Sequence, residues 1–444
     1  MTETDVVAAD VVVVGAGAAG LSLVEHLLDA GLPRGYRIAV VEPPPGPVRS
    51  PGRTWCFWED ETPDGSAGSR RLDGLVAASW GRLLVRTPDG GTAGGASPRR
   101  YRMVRSSDFL RAADARMAAD PRVVRIVGTV TGITDGPRGA RATGTGDGGR
   151  PFAVAGRWVF DSRPPGALPP ARTTLLQHFR GWFVRTEEDR FDPRTAELMD
   201  LRTPQPRCGL SFAYVLPLSP REALVEYTEF SPSVLDDAGY EAALRHYTRR
   251  VRPLGAFTVT GTEQGVIPMT DGHFPRRAGR SVFRIGTAGG ATRPATGYTF
   301  AAARRQSARI AAALAAGRTP LPPRPHARRH LAMDAALLRA LATGRIDGAL
   351  FFADLFRRTP LRSVLRFLDG GSSPCEEVAI GLRSPVLPMA LSLAELPLLR
   401  RRAPGGAPSC GAPGPSRPPP GPPRPSRPPG TPGPPGPAHR KASR

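Results

Sequence analysis

The amino-acid sequence predicts an α/β fold with an N-terminal unit built on a parallel sheet, an inserted β-rich region and a C-terminal helical region. A strand, a glycine turn, a helix and a second strand follow one another within residues 10–42, close to the length of a βαβ unit. Residues 166–275 are rich in strand-forming segments. Residues 327–368 have the apolar spacing of several helices.

The first element is the apolar run DVVVV at residues 10–14, which has the length of a buried strand. GAGAAG at 15–20 is the turn, and LSLVEHLLDAG at 21–31 has helical spacing. RIAVVE at 37–42 is a second buried strand and ends in an acid. This order is the context that identifies a Rossmann-type dinucleotide fingerprint.

Gly15, Gly17 and Gly20 form the G-x-G-x-x-G fingerprint. In such a turn the first glycine permits the tight bend, the second lets the backbone approach a pyrophosphate, and the third allows close helix–strand packing. Ala18 opens the helix, whose free N–H groups would bind the pyrophosphate. Glu42 would accept hydrogen bonds from the adenosine ribose. A fingerprint this close to the N-terminus is typical of flavoproteins, so we predict FAD rather than NAD.

A second glycine-rich segment, RIGTAGGATRPATGYTFAAA at residues 284–303, also favours FAD. Its order of strand, small-residue turn, proline, glycine and helix resembles the second flavin-binding segment of FAD-dependent hydroxylases. Those enzymes usually carry Asp at the position of Thr287. The candidate cofactor contacts in this segment are Gly286, Thr287, Pro294 and Gly297.

Three further elements surround these segments. Residues 108–118 predict a helix, and Arg105 just before it is a candidate phosphate contact, with a surface arginine as the alternative. SVFRIG at 281–286 predicts a strand, and the alanine-rich stretch 299–316 predicts a helix.

The octapeptide ALVEYTEF at residues 223–230 predicts a strand that carries two carboxylates, Glu226 and Glu229. Burying an ionised carboxylate is costly unless it is paired or takes up a proton. Strand residues alternate between faces, so Glu226 shares a face with Thr228, and Glu229 points the other way. Glu226, Glu229 and Asp200 are candidate functional carboxylates, with an ordinary solvent-facing strand residue as the alternative for Glu226 and a salt bridge or solvent as the alternative for Glu229.

The charge and composition of the chain indicate which kinds of partner it binds and where it is located. The net charge is +22, but the basic residues are dispersed without interleaved aromatics, which favours an anionic membrane surface over nucleic acid. The start, MTETDVVAAD, is acidic, unlike a signal peptide, and no run of 18 apolar residues occurs. We therefore predict a cytoplasmic, peripherally membrane-associated protein.

The four cysteines are widely spaced along the chain: Cys56, Cys208, Cys375 and Cys410. This spacing predicts reduced thiols and no zinc site.

Taken in order, these pieces resemble the flavin-dependent lycopene cyclase family, and within it the bacterial β-cyclases. The similarity covers nearly all of residues 8–392. The matching segments are RTWCFWED (53–60), FDSRPP (160–165), QHFRGWFV (177–184), FDPRTAELMDLR (191–202), LVEYTEFSP (224–232), GTAGGATRPATGYTF (286–300) and VLRFLDG (364–370).

The resemblance implies a fold like that of the hydroxylase flavoproteins, with bound FAD in its reduced form and NADPH or NADH as the reductant. It implies a carotenoid substrate, lycopene, taken from the membrane, and other carotenoid-pathway enzymes as candidate partners. The implied reaction is redox-neutral cyclisation of acyclic ψ-ends to β-ionone rings, giving γ-carotene and β-carotene.

The family's acidic motif is a Glu, a second acid and a Thr. Glu226 and Thr228 match it, whereas Tyr227 replaces the second acid. The resemblance thus implies that Glu226 is the general acid. Aromatic side chains could line a polyene channel, with a packed aromatic cluster as the alternative. The substrate-lining candidates are Trp55, Phe57, Trp58 and Tyr227.

We predict one cyclase unit over residues 1–400 and a disordered tail over 401–444, which contains sixteen prolines and eight glycines. The parts of the unit are flavin-binding segments at about 8–50, 101–165 and 276–318, a substrate region at about 166–275 and a helical cap at 327–400.

Two other functions remain open. One is an FAD-dependent monooxygenase or reductase that acts on a lipid or isoprenoid, and the other is a non-catalytic carotenoid-binding flavoprotein. No metal site is predicted. His326 and His330 stand four residues apart but lack a third ligand and lie among arginines, which predicts a solvated basic helix face.

Overall fold

A computed structural model of the chain describes residues 6–46, 52–60 and 72–403. The predicted tail lies outside these ranges except for residues 401–403, and so do residues 47–50 of the first predicted flavin-binding segment. The described strands are β1 (Val6–Val14), β2 (Ile38–Glu42), β3 (Thr54–Asp60), β4 (Val76–Arg86), β5 (Thr92–Arg105), β6 (Val123–Gly136), β7 (Gly139–Gly146), β8 (Pro151–Asp161), β9 (Thr174–Thr186), β10 (Thr195–Asp200), β11 (Leu210–Pro217), β12 (Glu222–Ser231), β13 (Phe257–Thr270) and β14 (Val282–Arg284).

The described α-helices are α1 (Ala18–Asp29), α2 (Ser106–Ala119), α3 (Asp237–His246), α4 (Phe300–Ala315), α5 (Arg328–Ala342), α6 (Gly348–Arg358), α7 (Leu361–Asp369), α8 (Pro374–Arg383) and α9 (Val386–Glu395). Short helical turns occupy Asp147–Gly149, Tyr247–Val251, Gly286–Gly289 and Leu396–Leu398.

The first sheet contains β1, β2, β6, β7, β8 and β14. Its centre is parallel: β1 pairs with β2 and β8, β2 with β6, and β8 with β14. Val11–Val14 are fully buried, as expected for a parallel strand covered on both faces. The predicted strand–turn–helix–strand unit is therefore confirmed.

The second sheet has eight strands in the order β13-β9-β12-β11-β10-β4-β5-β3. All its pairings are antiparallel except that of β10 with β4. The predicted β-rich region supplies β9–β13, but β3, β4 and β5 come from residues 54–105. The sequence did not indicate that contribution, because the β10–β4 pairing joins segments about a hundred residues apart.

The two faces of the second sheet are covered differently, which positions the candidate site. On one face Val225 and Tyr227 pack against Tyr240 and Leu244 of α3. On the other face Leu224 and Phe230 belong to a core that includes residues of α5, α6, α7 and α8. The C-terminal helices predicted from residue 327 onward are thus confirmed, and they cover the face that carries Glu226.

No single helix in the described part of the chain is long and apolar enough to cross a membrane. Helix α8 and the segment Val386–Leu398 reach the required length only together, with a bend of 116° between them.

The prediction of a solvated face at His326 and His330 is wrong, because both side chains are buried. His326 precedes α5 and its Nε2 lies 3.0 Å from the carbonyl oxygen of Ala291. Burial lowers the pKa of His326 to about 4, so its ring is neutral. His330 Nε2 lies 2.6 Å from Glu377 Oε1. Among the described residues no group of three or more His, Cys, Asp or Glu side chains is placed to hold a metal ion.

The prediction of reduced thiols is confirmed for Cys56 and Cys375, which are free. Cys410 lies outside the described residues.

A buried arginine connects the second glycine-rich segment to the C-terminal helices. Arg293 is 1 % exposed, and its Nε lies 3.1 Å from Asp334 Oδ2 on α5. Its Nη1 also donates to the carbonyl oxygens of Phe367 and Leu368 in α7, and the guanidinium lies 4.8 Å from the centroid of the Phe367 ring. Two of the segments that carry the family resemblance, 286–300 and 364–370, therefore meet at Arg293.

Arg293→Met is expected to lower the free energy of unfolding by about 3–5 kcal/mol, because it leaves the buried Asp334 carboxylate without its partner. Chemical denaturation measures this loss. A matched control is Arg358→Met, which removes an exposed pair with Asp354 within α6 and should cost less than about 1 kcal/mol. Equal losses in the two variants would contradict the stabilising role of Arg293.

Candidate functional site

The first glycine turn is built so that two of its glycines cannot be replaced. Gly15 has φ +95°, and a Cβ on it would lie 2.6 Å from Ser162 Oγ. A Cβ on Gly20 would lie 2.0 Å from the carbonyl oxygen of Gly15. Helix α1 therefore packs directly against the turn, as the fingerprint predicts.

Gly17 differs, because a Cβ there would meet no protein atom within 4 Å. It has extended backbone and caps α1, which begins at Ala18 without a side-chain cap. Free space thus borders the N–H groups at the helix N-terminus, where an anion binds well. Glu42 ends β2 and is buried, with its carboxylate paired to Arg125.

The second glycine-rich segment packs onto the same helix. Gly286 has φ +64°, and a Cβ on it would lie 2.8 Å from Ala19 Cβ in α1. The Thr287 hydroxyl lies 3.0 Å from the Thr292 hydroxyl, and Pro294 is buried. The two predicted cofactor segments therefore meet at the start of α1.

Further along, this segment reaches the second sheet. Gly297 has φ +71°, and a Cβ on it would lie 2.3 Å from Gln177 Oε1 on β9. Gln177 Oε1 is buried and has no hydrogen-bond partner in the structure. An unpartnered buried acceptor is costly, and a bound polar group would relieve that cost. The open space at Gly17 and the orphaned Gln177 oxygen both fit a dinucleotide cofactor that extends from α1 to the sheet.

A row of four residues crosses the second sheet beside this segment. Tyr214 on β11 pairs with Glu226 on β12, and both Glu226 and Glu263 on β13 pair with Gly181 on β9. Directly opposed residues on neighbouring strands point to the same face. All four residues therefore lie on the face that the C-terminal helices cover.

Gly181 leaves room for the two carboxyl side chains. A Cβ at this position would lie 3.3 Å from Glu263 Cγ, 3.5 Å from Glu226 Cβ and 2.7 Å from Leu224 Cδ1. The side chains of Glu226 and Glu263 thus flank the glycine from opposite sides, and a methyl group of Leu224 fills the point nearest to it.

The structure places Glu226 in an environment that favours its neutral form. The residue is 8 % exposed, and the Thr228 hydroxyl donates to its Oε1 at 2.7 Å. Burial and the nearby Glu263 carboxylate raise the pKa of Glu226 to about 8, against the opposing effect of Thr228. Glu226 can therefore hold a proton at neutral pH within a water-poor cluster.

Neutral polar and aromatic groups surround this acid. The Tyr101 hydroxyl bonds those of Tyr214 and Tyr298, the second at 3.0 Å. Tyr298 belongs to the second glycine-rich segment, and its ring centroid lies 4.4 Å from that of Trp58. Burial raises the pKa of the Cys56 thiol and of all three phenols, so these groups stay uncharged.

Glu263 is a site residue that the sequence reasoning missed. The backbone N–H and the hydroxyl of Thr54 donate to its two carboxylate oxygens at 3.0 and 2.7 Å. Burial raises the pKa of Glu263, while Thr54 and the Arg53 cation oppose that rise. A usable signal existed in GTEQG, residues 261–265, where a carboxylate stands between two glycines at the period of a strand.

Strand β3 divides its aromatic residues between two places. Trp58 lies with the phenols near Glu226. Trp55 stacks on Phe300 of α4 with ring centroids 5.1 Å apart, and Phe57 packs on the same ring at 5.4 Å. Trp55 and Phe57 therefore belong to a packed aromatic cluster, whereas Trp58 packs on Tyr101 and Tyr298, two of the phenols around Glu226.

The other sequence candidates on β12 are separated from Glu226. Tyr227 and Glu229 point toward α3, where the Tyr227 hydroxyl donates to Glu229 Oε2 at 3.0 Å. His178 Nε2 lies 3.9 Å from Glu229 Oε1, and burial lowers the pKa of this histidine. The predicted opposite orientation of Glu229 is confirmed, and the predicted substrate-lining residue Tyr227 lies away from the acid.

Asp200 and Arg105 also lie outside the row. Asp200 is fully buried, where Arg202 donates to Oδ2 at 2.6 Å and Tyr247 donates to the same oxygen at 2.8 Å. This pairing is typical of a structural carboxylate. The Arg105 guanidinium carbon lies 5.8 Å from the centroid of the Phe183 ring on β9. Its role as a phosphate contact remains a prediction.

Comparisons with solved structures identify the fold. A geranylgeranyl bacteriochlorophyll reductase-like protein from Thermoplasma acidophilum has a TM-score of 0.63 at 13 % identity, covering 88 % of this chain and 100 % of that one. A p-nitrophenol 4-monooxygenase from Pseudomonas putida has a TM-score of 0.52 at 15 % identity, covering 88 % of this chain and 98 % of that one. A flavin-dependent brominase has a TM-score of 0.56 at 16 % identity, with the same coverage. The predicted hydroxylase-like α/β flavoprotein fold is therefore confirmed.

Sequence comparisons identify the family. A lycopene β-cyclase from a Paracoccus species is 29 % identical over 423 residues, covering 89 % of this chain and 99 % of the relative. The model of the family described as "Lycopene cyclase protein" matches residues 10–394, which include both glycine-rich segments, Glu226 and Glu263. The chain belongs to the lycopene cyclase family.

Proposed function

We propose that this protein is a lycopene β-cyclase that converts the acyclic ψ-ends of lycopene into β-ionone rings, by way of γ-carotene to β-carotene, without net oxidation or reduction. Membership of the lycopene cyclase family and the likeness to the Paracoccus β-cyclase support a carotenoid substrate. The observation that carries the mechanism is the burial of the Glu226 carboxyl within a cluster of uncharged side chains, where burial and the nearby Glu263 raise its pKa to about 8.

The chemistry requires such an acid. Lycopene is a hydrocarbon without a leaving group, so cyclisation begins when a proton is added to carbon 2 of the terminal double bond. Carbon 1 becomes a tertiary cation, the double bond between carbons 5 and 6 attacks it, and the ring closes. Loss of a proton from carbon 6 gives the β-ring. Water would trap the cation, so the acid must act in a dry pocket.

The groups around Glu226 suit each of these needs. Its carboxyl is neutral at pH 7 and can donate a proton. The aromatic faces of Trp58, Tyr101 and Tyr298 carry negative charge density that stabilises a nearby cation. The covering helices exclude water from this face of the sheet.

We infer FAD as the cofactor, held by the turn at Gly15–Gly20 and by the segment at Gly286–Gly297, where Gln177 offers an unpartnered oxygen. Bound reduced flavin would supply negative charge that stabilises the developing cation, or a proton relay, and NADPH or NADH is the proposed reductant. Tyr298 belongs to the second segment and contacts the cluster around Glu226, so the chain itself connects the cofactor segment to the acid.

Expression of the chain in a lycopene-accumulating bacterium, with chromatography of the pigments, tests the function. We expect lycopene to be replaced by γ-carotene and β-carotene. Oxygenated or saturated pigments, with oxygen or NADPH consumed in proportion to product, would instead identify a monooxygenase or reductase. Bound but unchanged lycopene would identify a carotenoid-binding protein.

We further propose that α8 and α9 dock on an anionic membrane surface at the cytoplasmic side, where the substrate dissolves. Leu382, Leu387 and Leu398 in this bent pair are 72 %, 69 % and 83 % exposed. Exposed arginines flank them, including Arg383 and Arg400. Leucines beside basic residues are typical of segments that lie in a membrane interface.

Leu382→Asp combined with Leu387→Asp is expected to reduce binding to anionic vesicles at least about tenfold, because each leucine contributes about 1.5–3 kcal/mol when it enters the bilayer. Flotation with vesicles of phosphatidylglycerol and phosphatidylcholine measures this. The control is Val127→Asp combined with Val234→Asp, which changes two apolar residues outside α8 and α9 that are 48 % and 49 % exposed. Equal losses in both double variants would refute docking through these helices.

A further inference from the structure

The environments of the two carboxyl groups bordering Gly181 are unequal. Glu226 accepts one hydroxyl hydrogen bond, from Thr228, and lies among neutral phenols and a thiol. Glu263 accepts two hydrogen bonds from Thr54 and faces the Arg53 cation. Hydrogen bonds and a nearby cation favour the ionised form of a carboxyl, so one proton shared by this pair resides on Glu226.

We propose, resting on the proposed cyclase function, that Glu263 is the base that removes the final proton from carbon 6, while Glu226 is the acid that starts the reaction. Both side chains flank Gly181 and share the face that the cofactor segment reaches. In the ring that forms, carbons 2 and 6 are both bonded to carbon 1. Two glutamates that flank one glycine, and lie close enough for the charge of Glu263 to act on Glu226, can therefore serve these two neighbouring carbons.

The step balances in protons and electrons. The Glu226 O–H bond breaks as the new C–H bond forms at carbon 2, and the cation moves to carbon 5 when the ring closes. The C–H bond at carbon 6 breaks toward the Glu263 carboxylate, and its electron pair becomes the C5=C6 double bond. One proton has then moved from Glu226 to Glu263. Transfer back across the Gly181 gap restores the starting state, and no oxidant or reductant is consumed.

Glu263→Gln tests this assignment through the ring type as well as the rate. Without the base, the cation at carbon 5 should lose a proton from carbon 4 or from the methyl group instead, which gives ε- or γ-type rings. We expect β-ring formation to fall about 10²–10⁴-fold, the usual contribution of a positioned base, with these isomers enriched among the remaining products. Glu229→Gln is the matched control, because that buried acid faces α3.

The pH profile gives a second readout that a purely structural role would not change. The charged or titratable groups around the two carboxyls are Arg53 beside Glu263, and Cys56, Tyr101, Tyr214 and Tyr298 in the cluster around Glu226. Glu263 is the negative charge that raises the pKa of Glu226. We expect wild-type activity to fall as the pH rises through about 8, where Glu226 loses its proton, and in Glu263→Gln this loss should move to lower pH because the pKa of Glu226 is lowered.

The assay uses the purified holoenzyme with reduced FAD and lycopene in phosphatidylcholine vesicles. Unchanged rate, ring type and pH profile in Glu263→Gln would overturn the assignment. If that variant does not fold, Glu263→Asp replaces it: the shorter carboxylate should give only β-rings at least about tenfold more slowly, and an unchanged rate would overturn the assignment. Failure of the wild type to form rings would instead refute the proposed function.

Discussion

Glu226→Gln is expected to abolish ring formation, with a loss of at least about 10²–10⁴-fold, because an amide cannot donate a proton to an alkene. The fold should survive, since Gln has the same size and can still accept the hydrogen bond from Thr228. Flavin content should also be unchanged. Pigment chromatography, flavin absorbance and thermal melting measure these three properties.

The comparison with Glu229→Gln makes this result specific. Both acids lie on β12 and are buried, but Glu229 already bonds Tyr227 on the opposite face. We expect normal pigments from the Glu229 variant and only lycopene from the Glu226 variant. Normal turnover by Glu226→Gln would refute its role as the acid, because no other carboxyl in the row holds a proton as favourably.

The free energy of unfolding should also depend on pH, through the raised pKa of Glu226. The folded-state pKa of Glu226 is about 8 and its ordinary value is 4.5, so between these values the folded chain holds a proton that the unfolded chain has lost. The contribution of this group to stability is therefore complete below about pH 4.5 and is lost as the pH rises through about 8. In Glu226→Gln the contribution of this group should be absent, so the loss of stability with rising pH should be smaller than in the wild type.

Gly17→Val is expected to give a folded protein without flavin. A side chain at this position meets no protein atom within 4 Å, so the chain itself does not oppose the substitution. The added methyl groups would occupy the space beside the N-terminus of α1, where the pyrophosphate is proposed to bind. Flavin absorbance after purification should fall to background, while circular dichroism stays that of the wild type.

Gly20→Val provides the contrast. Its Cβ would lie 2.0 Å from the Gly15 carbonyl oxygen, so this variant should lose the fold together with the cofactor. A yellow, flavin-saturated Gly17→Val protein would rule out the assigned pyrophosphate site.

The sequence predicted the parts of the site that depend on neighbours along the chain. Gly15, Gly17 and Gly20 follow a strand and open a helix, and Glu226 alternates with Glu229 on one strand, so local periodicity was sufficient for both. Glu263 could not be placed that way. Its position is set by the pairing of β13 with β9, which joins residues about eighty positions apart.

The glycines of β13 are consistent with its pairing with β9, because they lie opposite large side chains of that strand. A Cβ on Gly265 would lie 2.5 Å from the Phe179 ring, and one on Gly261 would lie 3.5 Å from the Phe183 ring. At the position between them the order is reversed, with Glu263 on β13 and Gly181 on β9. A larger side chain thus opposes a glycine at each of three alternate positions on this face of the sheet, but only the structure shows which strands oppose each other.

Side chains along β12 alternate between the two faces of the sheet, so this strand tolerates neither insertion nor deletion of a single residue ahead of Glu226. Deleting or inserting one residue ahead of Glu226 within Glu222–Ser231 would rotate every following side chain to the other side of the sheet. The proton donor would then face α3, and Tyr227 would point to the face that the C-terminal helices cover. Insertions and deletions in functional homologues should therefore fall in the hairpin at residues 218–221, and an alignment that opens a gap inside the strand would assign the donor to the wrong residue.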